Sequence, residues 1–549
     1  MSASLIEHTP SAYDYPLLIK HLLHTPLATA PEQEIVYRDI YRCTYRTLSK
    51  RISRLASGLS KLGVSPGDTV AVMDWDSHRY LECYFAIPMM GAVLQTVNIR
   101  LSPAQILYTL NHARADVILC HTDFLPILDS IKERLETVKF FVVLSDGGGD
   151  AEVPSSINFA AEYEDLLKGG TEDFDFPDFD ENTRATTFYT TATTGDPKGV
   201  YFSHRQLVLH TLATLGSIAS PADRQCFHRG DVYMPITPMF HVHAWGFPYV
   251  ATAMGTKQVY PGRYMPDSLL SLIKQEKVTF SHCVPTILHM LLTSPGAKDF
   301  DWSGWKVVIG GSALPKGLAK LALDKGIDIF GGYGLSETCP VLAIAQLKPS
   351  MIELDADIQL EYLTKAGMPI QLVDLHIVDE NMQDVPHDGK ASGEVVVRAP
   401  WLTQGYLYAP INSEDLWRGG YMHTKDIGTI DPEGYLLITD RIKDVIKSGG
   451  EWISSLAIED IISQHPGVSE VAVIAIPDPK WGERPLALIV LKEESKGTMT
   501  EEHIQAHVKV WAEQGVISKW AVPQVQFVDK LEKTSVGKLD KKVMRQAHH

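Results

Sequence analysis

No G-x-x-x-x-G-K-[ST] stretch occurs anywhere in the chain, which excludes a P-loop nucleotide site. No C-x-x-C pair occurs either. The six cysteines, Cys43, Cys83, Cys120, Cys226, Cys283 and Cys339, are far apart, which argues for reduced core thiols in a cytoplasmic protein and against disulfides or a zinc knuckle. Positive charge is short: 50 Lys and Arg against 67 Asp and Glu leave a formal charge of −17, the wrong sign for a nucleic-acid partner. No apolar run reaches the roughly 20 residues that cross a bilayer. The nearest, residues 80–99, is broken by Glu82, Pro88, Gly91 and Gln95 and reads as a buried helix and turn, so no integral membrane segment is expected. The first twenty residues lack a basic start, a long apolar core and a small-residue cleavage site, so export is not expected.

What is present is an ordinary globular composition, 45% apolar and 21% charged, over 549 residues. That length exceeds one hydrophobic core and predicts at least two domains. Leu48, Ile52, Leu55, Leu59 and Leu62 recur at helical spacing, and residues 69–73 then read as a strand. Short apolar runs at 117–120, 140–144, 258–260, 280–284, 307–309 and 327–330 alternate with longer, partly helical stretches. This predicts an α/β fold: a large, multi-lobed N-terminal domain with mainly parallel sheets. Residues 146–182, rich in Gly, Asp and Glu, read as a surface connection. Beyond Asp440 the chain turns lysine-rich, with strand-like runs at 471–476 and 486–491. We place a small mobile α+β domain at 441–549, after an N-terminal domain of residues 1–440.

Four segments carry chemistry. YTTATTGDPKGV, residues 189–200, has a phosphate-loop composition: hydroxyls, Gly195, Lys198 and Gly199, where backbone N–H groups, threonine hydroxyls and an ammonium can surround phosphate oxygens. A polar surface turn is the plain alternative. GGYGLSE, residues 331–337, follows a strand-like run and ends in an acid suited to a hard cation; its glycines leave room for a flat ligand, or else it is a strand-to-helix turn capped by Ser336. Residues 421–455 contain Asp426, Asp440 and Arg441, an acid that can accept ribose hydroxyls and an arginine that can reinforce it. EKTSVGK, residues 532–538, places Lys538 behind a glycine where a loop can deliver a cation to a closed site; alone it would be a solvated surface lysine. His241 and His243 alternate as strand residues on one face would, but nearby ligands are lacking and zinc is not expected.

In this order the four segments resemble the adenylate-forming superfamily of acyl-CoA synthetases, firefly luciferase and peptide-synthetase adenylation domains, over residues 189–538. Within it, PMFHVHAWG (238–246) and DRIKDVIKSGGEWISS (440–455) look like the gate and linker of medium- and long-chain fatty-acid:CoA ligases. The subfamily also resembles ligases for smaller acids such as methylmercaptopropionate. The resemblance implies that ATP is bound by Thr190, Thr191, Thr193, Thr194, Gly195, Lys198, Gly332, Tyr333, Gly334, Ser336, Glu337, Asp426, Ile438, Arg441 and Lys538, with Mg2+ at Thr190 and Glu337. The catalytic set would be Lys538, Thr190, Glu337 and Lys198. The acyl group would lie against His241, Val242, the gate Trp245, Gly310, Gly311, Ser312 and Ala313, while His243 only packs. Coenzyme A would be approached by Lys447, Ser448, Gly449, Gly450, Glu451 and Trp452 after the C-terminal domain rotates about Lys443. Three departures from the family pattern leave every reactive group in place: Thr191 and Ala192 replace Ser-Gly, Lys425 replaces a glycine, and Glu532 replaces a proline. A homodimer is left open, as are three rivals: a carrier-loading adenylation domain, a luciferase-like oxygenase and a nucleotide-binding protein without ligase activity.

Overall fold

A computed structural model describes residues 4–147, 156–190, 196–221, 224–448 and 451–548. The helix Tyr45–Lys61 forms because its apolar residues share one stripe: Leu48, Ile52, Leu55 and Leu59 are all buried, and the Thr44 side chain caps the first turn by accepting the Thr47 N–H. Residues 80–99 belong to the buried helix His78–Met89, a turn, and the strand Val93–Thr96. The acid that interrupts this run is paired: Glu82 is met by Arg51 at 2.7 Å and by the Tyr163 hydroxyl at 2.6 Å, so its burial leaves no lone charge.

Two large sheets build the N-terminal domain. One has seven strands, in the order Ala161–Glu162, Phe140–Leu144, Ala115–His121, Thr69–Met73, Val93–Thr96, Arg184–Tyr189 and Gly199–Ser203, parallel except for the last pair. The other has nine, and its centre is parallel: Asp328–Gly334, Lys306–Ile309, Phe280–Cys283, Val232–Pro235, Lys257–Tyr260 and Glu34–Tyr37 in neighbouring order. A smaller antiparallel sheet contains Gly393–Arg398, Tyr421–Ile430 and Leu436–Arg441. The alternating pattern predicts this mixed α/β architecture, and the structure shows it.

A separate C-terminal domain follows. Its sheet is centred on the long antiparallel pair Val468–Asp478 and Gly482–Leu491, with the helices Ser455–Ser463 and Glu501–Glu513 enclosing a core of its own. One expectation is corrected here. Residues 156–182 are more than a surface connection, because the helix Tyr163–Lys168 buries Tyr163, Leu166 and Leu167 on the helix Tyr45–Lys61. Those three positions repeat at helical spacing within an otherwise acidic stretch, and the composition concealed them. All six cysteines are buried, and none is in a disulfide. Among the described residues, no helix is long and apolar enough to cross a membrane.

Candidate active site

The parallel strands of the nine-stranded sheet end together, and a cavity opens at their carboxyl ends. That edge of an open α/β sheet is where strand termini leave backbone groups free for a ligand. Gly310 and Gly311 follow the strand Lys306–Ile309, while Gly332, Tyr333 and Gly334 end the strand Asp328–Gly334. His241, Val242, Trp245, Phe247, Ser336 and Lys538 complete much of the lining. Lys538 comes from the other domain, more than two hundred residues away in the chain.

The loop that carries Lys538 is docked by specific contacts. Asn98 Nδ2 donates to Ser535 Oγ at 3.0 Å, Arg100 Nη1 to the Ser535 carbonyl at 3.2 Å, and Thr286 Oγ1 to the Gly537 carbonyl at 2.6 Å. Val536 between them is buried in the main core of the N-terminal domain. At Gly311, φ is +79°, and a Cβ there would come 2.9 Å from Lys538 Cε, so the glycine serves both the turn and the lysine's passage. Burial, and next the charge of Arg441, lower the Lys538 ammonium to about 8, although Asp426 and Glu337 oppose them.

Asp426 and Arg441 are register partners on the antiparallel strands Tyr421–Ile430 and Leu436–Arg441, which places them side by side. Arg441 Nε donates to Asp426 Oδ1 at 3.1 Å, and the Tyr333 hydroxyl donates to Oδ2 at 2.8 Å. Burial raises the Asp426 carboxyl against the pull of Arg441. Ile438, on the same strand, packs partly buried against the core. On the opposite side, Thr190 closes the hairpin between Arg184–Tyr189 and Gly199–Ser203: its N–H donates to the Lys198 carbonyl at 3.0 Å, and its Oγ1 accepts the Lys198 N–H at 3.3 Å. Thr191, Ala192, Thr193, Thr194 and Gly195 lie outside the described residues.

Tyr406 links this hairpin to Glu337. Its hydroxyl donates to Glu337 Oε1 at 2.7 Å, and the Lys198 ammonium stands 4.6 Å from its ring centroid. The second carboxylate oxygen of Glu337 and the Thr190 hydroxyl are each hard oxygen donors of the type magnesium accepts. In donor chemistry, though not by any contact between them, these two groups fit a magnesium ion.

With this geometry in place, comparison with known proteins decides the family. The AMP-binding enzyme model matches residues 23–407, and the AMP-binding enzyme C-terminal domain model matches residues 457–538. The chain belongs to the AMP-binding enzyme family. It is an AMP-forming acyl-CoA ligase. It is 41% identical to a long-chain-fatty-acid–CoA ligase of Thermus thermophilus, covering 97% of this chain and 96% of the relative. It is 36% identical to a 3-methylmercaptopropionyl-CoA ligase of Ruegeria lacuscaerulensis, covering 96% and 97%. The fold matches an anthranilate CoA ligase solved with anthranoyl-AMP, with a TM-score of 0.84 at 24% identity over 97% and 98% of the two chains.

Several residues of the ligase sit differently from their sequence expectation. The segment 238–246 is no strand: Val242, His243, Ala244, Trp245 and Gly246 all have positive φ and form one left-handed turn. Left-handed backbone costs roughly 1–2 kcal/mol per residue, and the surroundings hold it in place. Asp76 accepts the Met239 N–H at 2.8 Å, Thr96 Oγ1 donates to the Phe240 carbonyl at 2.9 Å, and Tyr84 OH donates to the Met239 carbonyl at 2.5 Å. His241 faces the cavity, and burial lowers its imidazole to about 3, with Lys538 and Arg100 adding to the effect. His243 packs edge-on to the rings of Phe188 and Tyr84, as expected.

Ser312 and Ala313 are not brought to the cavity. Both are exposed, because Gly311 turns the chain away before them. Nor do Gly331 and Gly334 give space to a ligand: a Cβ at Gly331 would lie 2.3 Å from the Lys365 carbonyl oxygen, and one at Gly334 1.9 Å from that of Pro340. The turn after them is tied by Thr338 Oγ1, which accepts the Leu335 N–H at 2.9 Å, rather than capped by Ser336. Lys443 lies in the turn that follows Arg441, and Ile446–Ser448 pairs with Glu451–Ile453 in the C-terminal sheet, away from the cavity lining. Gly449 and Gly450 fall outside the described residues. Asn98, Arg100, Thr286 and Tyr406 were missed, since an isolated polar residue outside a glycine-rich motif carries no signal of its distant partner. The only cue was a tyrosine after glycine in residues 405–406.

Proposed function

We propose that this ligase binds ATP and a monocarboxylic acid in the cavity, forms the acyl-adenylate and diphosphate, and then transfers the acyl group to coenzyme A, releasing AMP. The observation that carries this reading is the arrival of Lys538, from the C-terminal domain, in a cavity otherwise built by the N-terminal domain. The substrate carboxylate is already ionised at neutral pH, so it needs no base to attack the α-phosphate. It needs its negative charge, and that of the phosphate, met by fixed donors.

Lys538 supplies one such donor, bridging carboxylate and phosphate oxygens. Lys198, steadied over Tyr406, and the Thr190 hydroxyl meet the phosphates. Asp426, held by Arg441 and Tyr333, accepts the ribose hydroxyls, and Gly332 with Tyr333 offers a flat face to the base. Thr190 and Glu337 would hold magnesium, which would neutralise charge on the phosphates. The hinge at Lys443 then lets the 441–549 domain turn, withdrawing Lys538 and bringing the 447–452 segment to the coenzyme A thiol. The acid is a medium- or long-chain fatty acid or, alternatively, a short, branched or thioether acid, in line with the relatives' names.

The test is acid-dependent exchange of labelled diphosphate into ATP, followed by coenzyme A-dependent release of AMP. No exchange with any acid across graded length, branching and polarity would refute ligase chemistry and favour a nucleotide-binding role. Exchange without coenzyme A-dependent turnover would favour loading of a carrier protein.

A further inference from the structure

Among the described residues, Lys538 is the only formally charged side chain lining the cavity. Much of the lining is apolar: Val242, Trp245, Phe247, Val308, Val341 and Ile344 contribute to it, and all six are buried. A second carboxylate or an ammonium on the tail would meet no partner there, at a desolvation cost of several kcal/mol. The wall thus selects one carboxylate and an uncharged tail.

What stands behind the wall sets the tail's length. The Trp245 indole is held by the left-handed turn against Gly310, where an added Cβ would lie 3.1 Å from the ring. Its far side meets His282 at 5.1 Å between ring centroids, and His282 in turn stacks on Phe247 at 4.8 Å. Tyr233 stacks beyond His282, and its hydroxyl is hydrogen-bonded to His282 Nε2 at 2.8 Å. Phe280 and Phe227 continue the stack, with centroids 4.3 Å apart. His282, Tyr233, Phe280 and Phe227 are fully buried. The layer next to Trp245 is therefore a run of contacting, fully buried rings, and close-packed rings of this kind resist displacement. On the other flank Val341 is pinned, its N–H donating to His210 Nε2 at 3.2 Å.

We propose that the acid is a short- to medium-chain monocarboxylate with an uncharged tail, and that Phe247 and His282, locked by Tyr233, set its maximum length. This rests on the acid:coenzyme A ligase reading. The experiment measures AMP release by the full chain with ATP, magnesium and coenzyme A, using butanoate, octanoate, 3-methylmercaptopropionate and hexadecanoate, the last supplied on albumin. A misfit of even one methylene in an apolar pocket costs about tenfold or more. The expected result is a kcat/KM for hexadecanoate at least about tenfold below the best of the other three. Trp245→Ala should leave that ratio in place, whereas Phe247→Ala and His282→Ala should each raise hexadecanoate relative to octanoate by a similar factor. Hexadecanoate used as well as the shorter acids by the wild type, or admitted by Trp245→Ala alone, overturns the proposal while leaving the ligase reading intact. No AMP release with any acid overturns the ligase reading itself. Phe247→Leu and His282→Gln, which replace the rings with less loss of volume, serve in place of the alanine variants where those fail to fold, and folded wall variants that leave the hexadecanoate-to-octanoate ratio unchanged also overturn the proposal.

Discussion

Replacing Lys538 by alanine separates the two half-reactions more cleanly than any other change. The ammonium enters the cavity on a loop that Asn98, Arg100 and Thr286 hold through Ser535 and Gly537, so the loop's own docking contacts do not involve the side chain removed. On the proposed mechanism, the loss is one cationic donor at the phosphate and carboxylate oxygens. Deleting a donor aimed at developing charge in a closed site costs about 3–4 kcal/mol, or two to three powers of ten in rate. Acid-dependent ATP–diphosphate exchange should fall by that amount, while thioester formation from supplied acyl-adenylate should retain most of its rate. The pH profile gives a second, independent reading. The working form of Lys538 is protonated, and burial beside Arg441 lowers the group to about 8, so in the free enzyme the protonated fraction falls as pH rises through that value. The kcat/KM for adenylation should therefore decline on the alkaline side of about 8. An unshifted lysine would titrate near 10.4. Equal loss of both half-reactions in Lys538→Ala, or an adenylation rate flat to well above pH 9, would refute the assignment.

Thr286→Val keeps the side-chain shape but removes the 2.6 Å hydrogen bond to the Gly537 carbonyl. A loss of about 1–2 kcal/mol should slow adenylation roughly tenfold and leave the thioester step near its original rate; equal slowing of both would show the contact to be merely structural. Tyr406→Phe keeps the ring beneath Lys198 but deletes the hydroxyl bound to Glu337. A hydrogen bond to a carboxylate is worth about 1.5–3 kcal/mol, so the magnesium concentration for half-maximal adenylation should rise about tenfold or more; an unchanged magnesium titration would discard the link.

The core fold was legible because it rests on local periodicity. The stripe through Leu48, Ile52, Leu55 and Leu59, and the apolar runs that became Thr69–Met73 and Phe140–Leu144, state their own secondary structure. Motif order pointed to the family in the same way, since glycine, hydroxyl and charged residues at fixed offsets are themselves a linear signal. The helix at Tyr163–Lys168 was hidden because six residues in an acidic stretch are too few for periodicity to outweigh composition.

The amino-acid order by itself determined the element types, the existence of a second core after residue 440, and the reactive groups available to the chemistry. Tertiary structure alone decided which of them meet. Ser312 follows Gly311 directly yet points away from the cavity, whereas Lys538, far along the chain, lies within 3.5 Å of where a Gly311 Cβ would stand. The same holds for the left-handed turn at Val242–Trp245 and for the rings packed behind it. Turn handedness there, and side-chain neighbours across strands, come from long-range packing that overrides local preference. No window of sequence short enough to read contains both partners.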